Sequence, residues 1–65
     1  MQEINRVLIV EDDEQIRDGI EIYLKSQGYE VIKASDGIEG LNKLKEQEVH
    51  LAIIDVMMPW IIWTG

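Results

Sequence analysis

The stretch Val7-Leu8-Ile9-Val10-Glu11-Asp12-Asp13 changes character in a single step, from an uninterrupted apolar run rich in β-branched residues to consecutive carboxylates. A continuous run of this kind suits a strand buried on both faces of a parallel sheet. Leu51-Ala52-Ile53-Ile54-Asp55 repeats the pattern: apolar strand, then acid. Between the two, the period changes. Ile16, Ile20, Tyr23, Leu24 and Gln27 fall at helical spacing, with Arg17, Asp18, Glu21 and Lys25 filling the other side. This predicts a helix over residues 14–27 whose apolar stripe is buried, stopped by Gly28 as a left-handed residue. Glu30-Val31-Ile32-Lys33-Ala34 is short and mixed in polarity, as for a strand nearer a sheet edge. Asp36 followed three residues later by Glu39 is a capping-box pattern. It opens a second helix, fading near Gln47, that should bury Ile38, Leu41, Leu44 and the stem of Lys45.

The order is therefore βαβαβ. Strands alternating with helices predict a parallel sheet with right-handed crossovers, and the two most apolar strands, the first and third, should lie side by side in the middle of the parent fold, giving a spatial order of 2-1-3. The first strand is then the point from which the connections leave in opposite directions, and sheets of this kind bind ligands beyond the carboxyl ends of the strands there. Glu11, Asp12 and Asp55 all belong to that place. Clustered unpaired carboxylates repel and raise one another's pKa unless a cation neutralises them, and hard oxygen ligands suit Mg²⁺. A carboxylate beside Mg²⁺ can act as a nucleophile toward phosphorus, so aspartyl phosphate is the candidate product.

Composition narrows the classes further. The chain has 65 residues, a formal net charge of −7 and no cysteine. It is one small domain of marginal stability, without disulfide or thiolate metal staples, which leaves a partner chain as a means of stabilisation. The acidic balance argues against direct nucleic-acid or anionic-membrane binding. Apolar runs fall far short of a bilayer span, and the N-terminus lacks the features of a signal peptide, so the expected location is cytoplasmic.

Three segments, Arg6-Val7-Leu8-Ile9-Val10-Glu11-Asp12-Asp13-Glu14, Ala34-Ser35-Asp36-Gly37 and Leu51-Ala52-Ile53-Ile54-Asp55-Val56-Met57-Met58-Pro59, together resemble the receiver domain of bacterial two-component response regulators. The resemblance covers residues 4 to 59. It implies the first half of a flavodoxin-like, doubly wound α/β fold, with Asp55 as phospho-acceptor and Glu11 and Asp12 as the acidic pair holding Mg²⁺, Glu11 often through water. The main-chain carbonyl of Met57 would be a further ligand. A sensor histidine kinase is implied as phosphoryl donor, with the receiver catalysing the transfer to itself as a phospho-accepting signalling domain and not as an enzyme.

A complete receiver continues through two more strand and helix units, which bring a Ser or Thr and a Lys to the phosphoryl group. Lys25, Lys33, Lys43 and Lys45 are not placed to substitute. The expectation is a partial receiver domain over residues 1–59, impaired in phosphorylation, followed at 60–65 by an apolar tail that departs from the family. The third strand would expose a hydrophobic edge, predicting a homodimer or higher assembly with the tail covering part of the seam. Two functions stay open: a phospho-accepting signalling module, or a non-catalytic self-assembling fragment whose acids are idle. Asp13 and Asp36 are expected to be helix caps. His50, the sole histidine, is expected to be an exposed loop residue at the end opposite the acids.

Overall fold

The computed structural model describes residues 4–55; Met57 and the 60–65 tail, with what is expected of them, lie outside these. Five elements follow in the expected order: β1 (Arg6–Val10), α1 (Glu14–Ser26), β2 (Glu30–Ala34), α2 (Gly37–Glu46) and β3 (Leu51–Ile54). The strands form one parallel sheet in the order β2-β1-β3. Hydrophobicity explains the central position of β1, since Val7, Leu8, Ile9 and Val10 are all buried and only a middle strand covers both faces of such a run. The pleat divides them. Leu8 and Val10 join Ala34, Ile32 and Val49 on one face, and Val7 and Ile9 join Leu24, Ile20, Tyr29, Val31 and Ile53 on the other.

Both helices start on an aspartate. Asp13 accepts from the N–H groups of Gln15 and Ile16, and Asp36 accepts from that of Glu39 at 2.7 Å. Glu39 reaches back to the residue before the cap, accepting from the main-chain N–H and the hydroxyl of Ser35. These contacts satisfy donors that a helix N-terminus otherwise leaves unpaired, and the Ser35 bonds hold the Glu39 carboxyl below its ordinary pKa. The far end of α1 closes in a Schellman arrangement: Gly28, at φ 93°, donates to Lys25 and Tyr29 donates to Leu24. Gly40 has a different purpose. A Cβ there would lie 3.0 Å from Cγ2 of Val10, so the missing side chain is what lets α2 sit this close to β1.

The helix stripes are less buried than their spacing predicts. Ile16, Tyr23, Ile38, Leu41 and Leu44 are each 47–62% exposed, and on α1 only Leu24 is fully buried. The cause is coverage. The helices pack on β1 and β2, and neither reaches β3 among the described residues. Periodicity identifies the apolar side of a helix correctly, but the three strands present are narrower than that side. β3 is consequently less covered than the other strands: Ile53 packs against the core, but Leu51 and Ile54 are nearly half exposed.

His50 also departs from expectation. Its Nδ1 accepts from the main-chain N–H of Arg6 at 3.0 Å and of Asn5 at 3.3 Å, and its own N–H donates to the Arg6 carbonyl. It lies at the end opposite the acids, as expected, but half-buried as the tie between the starts of β1 and β3, where a strand end leaves N–H groups in need of an acceptor.

Candidate functional site: an acidic pocket beyond the strand ends

Register builds the pocket. Val10 pairs with Ile54 and with Ala34, so the next residues, Glu11 and Asp55, leave β1 and β3 at the same level. Each is fastened by its main chain: Asp55 N–H donates to Val10 at 3.0 Å and Glu11 N–H donates to Ala34 at 3.1 Å. Asp12 follows in the turn into α1. One carboxylate oxygen from each of Glu11, Asp12 and Asp55 lies within 4.8 Å of the others. Residues separated by more than forty positions in the chain thus share one small volume, which the parallel pairing of β1 with β3 brings about.

The three differ in setting. Glu11 is buried, Asp55 half-buried and Asp12 exposed. The Glu11 carboxylate accepts from the Asp13 main-chain N–H at 3.1 Å, an influence that lowers its pKa more than any other single one acts on it. Burial, the hydrogen bond and charge of Asp55 and the hydrogen bond with Asp12 act in the opposite direction. Together they carry Glu11 above its ordinary value. Glu11 is therefore harder to ionise than a free glutamate, as expected of a carboxyl gathered with two others. All-oxygen donors of high negative charge, open to water on the Asp12 side, match what Mg²⁺ requires, and the residues present fit such an ion.

Of the residues singled out from sequence, Glu11, Asp12 and Asp55 come together, Asp13 and Asp36 are caps, and the Met57 carbonyl falls outside the described residues. Arg17 is the residue that sequence reading passed over. Counted there among the outward charges of α1, it is half-buried, and its Nη1 donates to the main-chain carbonyl of Glu11 at 2.9 Å. The available signal was its place one turn after the Asp13 cap, where a long side chain can reach back over the turn.

Residues 7–62 match the model of the response regulator receiver domain. The chain belongs to that family. It is a receiver domain of the kind found in two-component response regulators, a signalling module in class. It is 45% identical over 53 residues to the response regulator RR06 of Streptococcus pneumoniae, a match covering 82% of this chain and 24% of that protein. With the CAI-1 autoinducer sensor kinase/phosphatase CqsS of Vibrio cholerae it shares 43% identity over 54 residues, covering 83% of this chain and 8% of the other. Among solved structures, the chemotaxis response regulator CheY4 of Vibrio cholerae superposes with a TM-score of 0.81 at 38% identity, over 88% of this chain and 48% of that one. The receiver described here thus spans about a quarter of the length of RR06 and about half of CheY4. The three-stranded 2-1-3 sheet is half of the CheY-like fold. No helix among the described residues is long and apolar enough to cross a membrane.

Proposed function

We propose that this receiver accepts a phosphoryl group on Asp55, in a pocket where Glu11, Asp12 and Asp55 hold Mg²⁺. The observation that carries the reading is the approach of those three carboxylates to within 4.8 Å at the switch point of a receiver sheet. The residues divide the work. An Asp55 carboxylate oxygen attacks phosphorus, the new O–P bond replacing the P–N bond of a phosphohistidine on a sensor kinase, whose imidazole nitrogen then takes up a proton. Glu11 and Asp12 hold the ion, and the Met57 carbonyl is assigned as a further ligand. When bound, Mg²⁺ screens the charge of the incoming group and its oxygens. Glu11, raised in pKa by its neighbours, holds its proton in competition with the metal, so Mg²⁺ affinity should weaken toward acid pH.

Intact mass after incubation with Mg²⁺ and acetyl phosphate tests this. An adduct of about 80 Da that is absent from Asp55→Ala is the expected result for acyl phosphate formation. No adduct on the unaltered chain refutes it.

A second reading is favoured by the place of β3 at the edge of the sheet. With Leu51 and Ile54 nearly half exposed and no helix packed on the strand among the described residues, it is a template for pairing with a second copy of the chain. The resulting homodimer, with the 60–65 tail assigned to the seam, would be a self-assembling module in which the acids are idle. Sedimentation velocity on dilution reads the assembly, and a persistent folded monomer refutes it. Mg²⁺ affinity separates the two functions: a working pocket binds millimolar metal and loses it on Asp12→Ala, whereas an idle one has no such binding to lose.

A further inference from the structure

The three carboxylates are not held alike. Asp55 is carried by β3 and its N–H is bonded to Val10. The Glu11 carboxylate is held by the Asp13 N–H. Asp12 is exposed, so its direction depends on the peptide units either side of it. A peptide unit is planar, and a bond that fixes the Glu11 carbonyl therefore also sets the orientation of the Asp12 N–H and the direction in which Asp12 leaves it. That carbonyl accepts from Arg17 Nη1 at 2.9 Å.

Arg17 is well anchored for this. Its own main-chain N–H donates to the Asp13 carbonyl in the first turn of α1, and its half-buried side chain turns back across that turn to residue 11. Its positive charge also acts on Glu39, at the start of α2. We propose that Arg17 is a positioning residue of the acidic pocket: by holding the Glu11 carbonyl it fixes the 11–12 peptide and so keeps the Asp12 carboxylate directed toward Glu11 and Asp55. The inference rests on the Mg²⁺ reading of the pocket given above.

Positioning and charge have opposite signs here, which makes the inference decidable. If Arg17 acted only as a cation near three anions, removing it would deepen the negative potential and tighten Mg²⁺ binding. If it acts through the carbonyl, removal loosens Asp12 and weakens binding. Arg17→Met keeps the length of the stem but loses both charge and donor; Arg17→Lys keeps the charge and one donor able to reach an oxygen.

The experiment is titration of the full chain with Mg²⁺ alone, followed by the amide resonances of Asp12 and Asp13, with far-UV circular dichroism as the check on folding. The expected result is an affinity weakened on the order of tenfold in Arg17→Met, the scale for losing an outer partner of a metal ligand, and restored to within about twofold in Arg17→Lys. Unchanged or tighter binding in Arg17→Met overturns the inference and leaves the pocket reading intact. Absence of any Mg²⁺-dependent shift in the unaltered chain overturns both. Should Arg17→Met fail to fold, the unaltered chain decides: Arg17 side-chain N–H resonances protected from exchange and displaced by Mg²⁺ support the role, and unprotected resonances that ignore the ion refute it.

Discussion

Replacing Asp12 by asparagine should stabilise the metal-free receiver while removing its response to Mg²⁺. The side chain is exposed, so the change costs no burial, and asparagine preserves its shape. What disappears is repulsion. Two unit charges about 4 Å apart repel by roughly 1 kcal/mol in bulk water, and Asp12 faces Asp55 at a separation within 4.8 Å. A gain of about 1 kcal/mol raises the Tm of a domain of this size by about 4–8 °C. The pH dependence has a definite sign. Glu11 has a folded-state pKa above its ordinary 4.5, so its contribution to stability is complete below that value and is lost as pH rises through the raised one. The advantage of Asp12→Asn over the unaltered chain should therefore be small in acid and grow toward neutral pH. Mg²⁺ at about ten times its Kd adds RT ln 11, about 1.4 kcal/mol, to the unaltered chain and little to the variant. Thermal melts by circular dichroism in EDTA and in Mg²⁺ measure both effects. A variant that melts lower than the unaltered chain in EDTA, or gains as much from Mg²⁺, would refute the picture of three mutually repelling carboxylates awaiting a cation.

Other perturbations probe the frame around the pocket. Asp36→Ala should cost about 1 kcal/mol in chemical denaturation, as for other lost N-caps. Glu39→Gln should be destabilising at neutral pH and indistinguishable from the unaltered chain in strong acid, because a carboxyl lowered by its bonds to Ser35 contributes in full above its ordinary pKa and loses that contribution as pH falls through the lowered one; equal losses at both pH values would contradict that. In Gly40→Ala, a gain of about 1 kcal/mol in helix propensity opposes a contact of 3.0 Å with Val10, and overpacking of about 1–3 kcal/mol should prevail. A more stable Gly40→Ala would show that Val10 yields. His50→Ala should cost about 1–3 kcal/mol by leaving the Arg6 N–H without its acceptor, seen as faster exchange of that amide.

Much of the scaffold was legible because it depends on local physics. Val7 to Val10 and Leu51 to Ile54 read as strands from unbroken apolar runs, Asp13 and Asp36 as caps from spacing alone, and Gly28 as a helix stop from its freedom at positive φ, which it adopts. The strand order followed from the first and third strands being the most apolar and so adjacent, and the acids could be placed at one end because each follows a strand. The depth of burial was not legible. Ile38, Leu41 and Leu44 have the spacing of a core-facing stripe, yet exposure depends on what lies opposite, and neither helix reaches β3 among the described residues.

Sequence by itself determined the α/β class, the element boundaries to within a residue or so and the candidate carboxylates, since these follow from periodicity, capping and chain order. Tertiary structure alone decided that Val10 pairs with Ile54, bringing Glu11, Asp12 and Asp55 within 4.8 Å. It likewise decided that Arg17 reaches the Glu11 carbonyl and that His50 ties β1 to β3. The physical reason is common to all three. Hydrogen bonds and charge repulsion act over a few ångströms, and distance through space between residues far apart in the chain is set by register, which the parallel sheet imposes and no local pattern encodes.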